Sequence, residues 1–197
     1  MNVLIASGIV TLDFVTFSGA CKKSISCPFQ VAANGSLCVY TLPSLASILK
    51  PLGLDKTDVM IILSCNISNE GDHRKRGSES SSDWEVISGG ETFSNFYFPS
   101  SFEKVKLLDP NIQITEVLKQ QPGVFTMYIT TSAVAPFVTL ESHALLGRFS
   151  KNAFVALPGK PERITFRAFD ASDLDLVEFQ KGLKVRSIWD TALVSDR

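Results

Sequence analysis

Short runs of alternating apolar and polar residues, separated by Gly, Pro and Asn turn signals, predict an all-β fold. About seven such runs fall within some eighty residues of the C-terminal half, the count of an immunoglobulin-like β-sandwich. No strand–helix–strand rhythm appears, which excludes a doubly wound sheet or an α/β barrel.

The N-terminal half is less regular. Ile9–Thr16 and Phe29–Ala33 read as strands rich in β-branched and aromatic residues. Asn34-Gly35 is a hairpin-turn signal and predicts pairing of Phe29–Ala33 with Leu37–Leu42. Pro43–Lys50 places Leu45, Ile48 and Leu49 at helical spacing, a short helical turn stopped by Pro51 and Gly53. Asp58–Ile67 is apolar at odd and even positions alike, as in a strand covered on both faces. Ser68–Glu91 mixes Ser, Gly and charge without apolar period until Trp84, predicting a long polar loop over 68–92. Arg74-Lys75-Arg76 lies inside it, flanked by acids, and reads as a solvated charge run. Asn95–Pro99 resumes order with Phe96 and Phe98 on one face, and Pro99–Asp109 is the expected connector. The domains are therefore expected at 1–109 and 110–197.

In the second half, Ile112 and Ile114 alternate with Gln113 and Thr115, and Gln121-Pro122-Gly123 supplies a turn. Phe125, Met127 and Ile129 then alternate with Thr126, Tyr128 and Thr130. Strands are expected at Ala135–Glu141, Ala153–Leu157, Arg163–Ala168 and Leu183–Ile188, with a turn at Pro158-Gly159.

Composition sets the outer limits. The chain has 197 residues, 45% hydrophobic, enough for one or two domains with a buried core. A net charge of −1 gives no basic field for nucleic acid. No stretch approaches the ~20 apolar residues of a membrane helix, so neither nucleic acid nor membrane is expected as a partner. Fourteen Phe against three Tyr point to aromatics used for packing. The four cysteines, Cys21, Cys27, Cys38 and Cys65, lack C-x-x-C spacing, and His73 and His143 stand far apart. That is a poor match to the roughly four clustered ligands of a zinc site, and no metal or other cofactor is expected. A disulfide among the cysteines and buried free thiols both remain open. Asn34-Gly-Ser36 and Asn66-Ile-Ser68 are N-glycosylation sequons. The apolar run Val3–Val10 and the small residues Ser18-Gly19-Ala20 resemble a secretory leader. No basic residue precedes the run and Asp13 interrupts it, so a strand is the better reading.

Several residues invite a chemical role. Asn69-Glu70 sets an amide beside a carboxylate but sits in the polar loop. Ser142-His143 sets a hydroxyl beside an imidazole, yet neighbours on a strand face opposite ways, and no nucleophile elbow surrounds them. Asp170, Asp173, Asp175 and Glu178 are spaced somewhat like calcium ligands but lack the Gly and terminal Glu of an EF-hand. A polar loop or capped helical turn is expected there. Trp84 and Trp189 could stack on a sugar, and packing is the expected role of Trp189. None receives a catalytic assignment.

Ser132-Ala-Val-Ala-Pro-Phe-Val138, Gly147-Arg-Phe-Ser150, Arg163-Ile-Thr-Phe166 and Val185-Arg-Ser-Ile188 occur in order. Together they resemble the last domain of animal-type lysosomal β-mannosidases of glycoside hydrolase family 2. Cys38-Val-Tyr40 with Leu45 and Leu49, and Asn95-Phe-Tyr-Phe98, resemble the domain before it. The resemblance implies two immunoglobulin-like β-sandwich domains in tandem, the first incomplete, which follow a catalytic barrel in that family. Lys151 stands where the family usually has Asp, removing an Asp-type turn bond, with Asn152 left to turn the chain. The loop after Ser68 is longer than its counterpart.

The family hydrolyses terminal non-reducing β-D-mannose residues during lysosomal glycoprotein-glycan breakdown. Retaining glycosidases need two carboxylates about 5–5.5 Å apart. The resemblance puts both on the barrel, which takes about 250 residues and does not fit in this chain. The expectation is a non-catalytic fragment, with the catalytic barrel as partner in cis, or in trans if separately encoded. β-Mannosyl glycans would be met only through the full enzyme. The alternative is a stand-alone sandwich module that binds glycans or a protein.

Overall fold

The computed structural model describes residues 5–32, 34–68, 92–170 and 175–192. They divide into two compact units, Met1–Val15 with Cys21–Ser101 and Thr16–Ala20 with Phe102–Arg197.

Strict alternation builds the first unit. Leu12 and Phe14 share one face of β1 (Ile5–Thr16). On β2 (Cys21–Ala32) the half-buried positions are Ile25, Cys27, Phe29 and Val31. The two strands pair antiparallel from Ile5↔Ala32 to Val15↔Cys21. With β3 (Val59–Ser68) and β4 (Thr92–Tyr97) they form one sheet in the order β2-β1-β3-β4. Its core gathers Leu12, Phe14, Val59 and Ile61 under Ile48 and Leu49 of the short helix α1 (Leu45–Leu49). Ser44 caps α1, its Oγ accepting from Ser47 N–H at 3.1 Å. A 3-10 turn, Lys50–Leu52, follows and ends at Gly53, whose φ of 66° suits glycine. The helical turn therefore lies where Pro43–Lys50 predicts it.

The expected hairpin across Asn34-Gly35 is not there. The tight turn forms, with Gly35 N–H donating to Ala32 O at 2.9 Å, but Leu37–Leu42 runs on without strand pairing. β2 pairs instead with β1. Its first half, Cys-Lys-Lys-Ser, carries little strand signal because an edge strand leaves those side chains in water. β3 also departs from expectation. Val59, Met60 and Ile61 are buried on both faces, but Leu63 is 37% exposed, so the double covering ends partway along the strand.

Among the described residues, the second unit is a sandwich of seven strands in two sheets. One has the order β5-β6-β10-β8 and the other β11-β7-β9. The strands are β5 (Gln113–Gln121), β6 (Val124–Thr130), β7 (Ala135–Ser142), β8 (Gly147–Phe149), β9 (Phe154–Ala156), β10 (Glu162–Ala168) and β11 (Leu183–Arg186). Phe125, Met127 and Ile129 of β6 and Ile164 and Phe166 of β10 fill one side of the core. Val138 and Leu140 of β7 and Phe154 of β9 fill the other. The all-β prediction holds, with an immunoglobulin-like strand count in this unit.

The acidic stretch near Asp175 conceals a core residue. Helix α2 (Leu176–Lys181) starts at Asp175 and buries Phe179 completely. The Phe179 ring stacks on Phe125, with centroids 3.9 Å apart and planes 13° apart, and meets Phe166 at 5.0 Å. Leu176 and Phe179, three apart, form the inward face. After β11 comes α3 (Ile188–Ala192), so Ile188 lies in a helix rather than in strand β11. Asp190 Oδ2 accepts from Ser187 N–H at 2.6 Å, satisfying a buried serine ahead of that helix.

Phe179→Ala should cost about 3–5 kcal/mol, the range for emptying an aromatic site in a packed core. A urea midpoint shifted down at unchanged slope would register it, whereas a loss under about 0.5 kcal/mol, the size of a surface substitution, would show that the ring is not part of the core.

Candidate functional site

The residues singled out for chemistry do not converge. Ser142 Oγ accepts from Leu145 N–H at 3.3 Å and so closes a local turn. His143 lies on the surface with its Nε2 3.8 Å from Glu141 Oε2, and its backbone N–H donates to Gly182 O at 2.9 Å. Asp170 is exposed, Asp175 precedes α2, and Glu178 stands in that helix. Asp173 lies outside the described residues, as do Asn69, Glu70, His73, Arg74, Lys75, Arg76 and Trp84. Among the described residues, no group of three His, Cys, Asp or Glu is placed to hold a metal ion. Trp189 is half-buried in α3. The four cysteines are free thiols, Cys21 and Cys38 exposed, Cys27 and Cys65 half-buried.

What does converge is Gly147–Asn152, the segment that leaves one sheet of the sandwich for the other. β8 pairs with β10 through Phe149↔Phe166 and Gly147↔Ala168. Gly147 is fixed by space: a Cβ there would stand 2.3 Å from Arg167 O and 2.4 Å from the Phe166 ring. The next pair along this ladder is Ser150 with Thr165. Ser150 N–H donates to Thr165 O at 2.7 Å, while Thr165 N–H is received by Ser150 Oγ at 3.0 Å. A hydroxyl thus completes a rung that the departing backbone leaves open.

Two residues on, the same substitution occurs in the other sheet. β7 pairs with β9 through Val138↔Phe154, so the following partner of Leu140 is Asn152. Its side-chain amide makes both bonds: Oδ1 accepts from Leu140 N–H at 2.9 Å and Nδ2 donates to Leu140 O at 3.1 Å. Oδ1 also accepts from Ala153 N–H at 3.1 Å, in a turn where Ala153 has φ 55°. Lys151 bridges the two ends on the outside. Its Nζ lies 2.7 Å from Glu162 Oε2 and 4.9 Å from the centre of the Phe154 ring. The turn bond that an Asp at 151 would make is replaced by those of Asn152, as the sequence suggests.

The Ala135-Pro136-Phe137-Val138 motif is a bulge. The register of β7 shifts between Ala135 and Val138, and Phe137 takes φ 53°. Pro136 has no N–H to offer a ladder and is tolerated there. Phe137 turns outward and meets Phe102 edge-on at 5.4 Å.

Residues 107–191, which contain the crossing, the bulge and both sheets, match the model of Ig_mannosidase, an Ig-fold domain family. That segment is similar to the immunoglobulin-like part of the β-mannosidases, and curated β-mannosidases are among the chain's relatives. It is 36% identical to the β-mannosidase of Mus musculus over 104 residues, 51% of this chain and 11% of the mouse protein. It is 26% identical to β-mannosidase A of Emericella nidulans over 191 residues, 94% of this chain and 18% of the fungal protein. The likeness therefore reaches fungal as well as animal proteins. The crystal structure of β-D-mannosidase from Dictyoglomus thermophilum superposes with a TM-score of 0.55 at 18% identity. That match covers 93% of this chain and 18% of the other, and it speaks for the fold alone. The chain thus spans less than a fifth of these β-mannosidases.

Asn152→Ala removes three hydrogen bonds and leaves both polar groups of Leu140 without their partner, a loss of about 2 kcal/mol by net hydrogen-bond values. Asn152→Asp should cost at least as much, because its second oxygen would face the Leu140 carbonyl. Lys151→Ala should cost less than about 1 kcal/mol, as for a surface ion pair. Urea denaturation of the three variants would give this order, and a Lys151 effect larger than that of Asn152 would contradict it.

Proposed function

We propose that this chain is a scaffold segment of a β-mannosidase-like glycosidase, without hydrolytic activity of its own. Its partner is the catalytic barrel of that enzyme, joined in cis or met in trans. The reaction it serves is hydrolysis of terminal non-reducing β-D-mannose in glycoprotein glycans, and the compartment is the lysosome, as the mammalian relatives suggest. The observation that carries this reading is the family match over residues 107–191, where the sandwich spends its Ala-Pro-Phe-Val and Gly-Arg-Phe-Ser motifs on bulge, crossing and core rather than on converging acids.

The surface agrees with a role beside a larger body. β2 is a twelve-residue edge strand, and no further strand pairs with it among the described residues. In the same unit Phe93 and Tyr97 are each more than half exposed. In the second unit Leu146 is 82% and Phe169 63% exposed. These side chains leave apolar surface that a neighbouring body could cover.

The purified chain should release no nitrophenol from a nitrophenyl β-mannoside. Added to, or fused with, a β-mannosidase lacking its own immunoglobulin-like segment, it should restore soluble, active enzyme. Turnover by the chain alone would overturn the scaffold role. A soluble chain that binds mannosyl glycans and restores nothing would establish the stand-alone binding module instead.

A further inference from the structure

Two features of the first unit lie side by side. One is the sequon Asn34-Gly35-Ser36. Asn34 holds φ 63° in a tight turn closed by Gly35 N–H donating to Ala32 O, and Asn34 through Cys38 are all exposed. The other is an open apolar groove of about 210 Å³ on the core-side face of the sheet, lined by Val10, Phe29, Val31, Leu37, Val39 and Cys65. Gly35 and Ser36 form its rim. The sequon therefore stands at the mouth of a groove whose apolar floor includes an aromatic ring.

The floor has a definite construction. Gly8 faces Phe29 across the β1–β2 ladder. With no side chain on Gly8, the Phe29 ring lies over its backbone, where a Cβ would come within 2.9 Å of the ring edge. Leu37, on the opposite wall, remains 55% exposed. An aromatic face bordered by aliphatic groups receives the C–H face of a pyranose, while the sugar hydroxyls stay in water.

We propose that Asn34 is an N-glycan attachment site and that the first sugars of that glycan lie in the groove, covering Phe29 and Leu37. In the attachment step Asn34 Nδ2 attacks the anomeric carbon of a lipid-diphosphate-linked oligosaccharide. The new C–N bond replaces the bond from that carbon to the phosphate oxygen. The lipid diphosphate leaves with the electron pair, and the amide gives up one proton. Ser36 supplies the hydroxyl that the acceptor tripeptide requires. The second sequon differs in place. Asn66 is an exposed residue of β3, paired with Thr92 of β4, and neighbours Cys65 on the groove face. Alternation along the strand turns Asn66 to the opposite face, so a glycan there would not reach the groove.

The proposal rests on the secretory routing contained in the proposed function. Expressing the whole chain behind a host secretory leader separates the two, because occupancy is then independent of native routing. Mass spectrometry of the peptide carrying Asn34, from cells or medium, should show a glycan removed by an endoglycosidase. Asn34→Gly, which keeps the positive φ, and Ser36→Ala, which leaves Asn34 in place, should each abolish it. Both variants, and the enzymatically deglycosylated protein, should bind an environment-sensitive apolar dye roughly twofold more strongly, as an uncovered apolar surface does. Asn66→Gln should leave dye binding unchanged. An unmodified Asn34 in the secreted chain would overturn the attachment site. A glycan whose removal leaves dye binding unchanged would overturn its place in the groove.

Discussion

A chain that leaves one sheet of a sandwich for the other must abandon a ladder at each end, and the backbone groups left there need new partners. Here the departure takes three residues, Ser150-Lys151-Asn152. Thr165 N–H, at the end of one ladder, is met by Ser150 Oγ. Leu140 N–H and C=O, at the end of the other, are met by the Asn152 amide. Side chains thus imitate backbone on both sides. Because Leu140 and Phe166 lie in the same core on facing sheets, the two rungs fix the spacing across which that core is packed. Gly147 lets β8 come close enough to β10 for the crossing to begin at this point.

The same constraint accounts for the neighbouring features. β9 has only three residues, Phe154–Ala156, all of them buried. It is flanked by the Asn152 amide on one side and paired across the Phe137 bulge on the other. Beside this crossing the core is closed by the Phe179 ring over Phe125 and Phe166. The Ala-Pro-Phe-Val, Gly-Arg-Phe-Ser and Asn152 of this chain are therefore a set of geometric conditions for one crossing.

The sequence shows the strands of the second unit clearly because one face of each meets the core, as Phe125, Met127 and Ile129 do. It hides Phe179, whose helix is only six residues long and begins amid acids. It misleads at Asn34-Gly35, where the turn is real but the segment after it finds no strand to pair with. β2 is faint in its first half because an edge strand is not obliged to bury Lys22 and Lys23. The crossing itself was half legible: Asn152 could be read as a turn residue, but its pairing with Leu140 depends on a register that only the assembled sheets reveal. For chemistry the sequence suggested scattered candidates, and those among the described residues stay scattered in space.

Native-state hydrogen exchange of the Leu140 and Thr165 amides tests most directly whether side-chain rungs hold the sandwich together. Both should exchange only through global unfolding, with protection equal to that of the core amides of β6 and β10. In Ser150→Ala only the Thr165 amide, and in Asn152→Ala only the Leu140 amide, should fall to a lower, local opening free energy. Fast exchange of both amides in the unsubstituted protein, with the rest of the core still protected, would show that the two sheets are held by apolar packing alone.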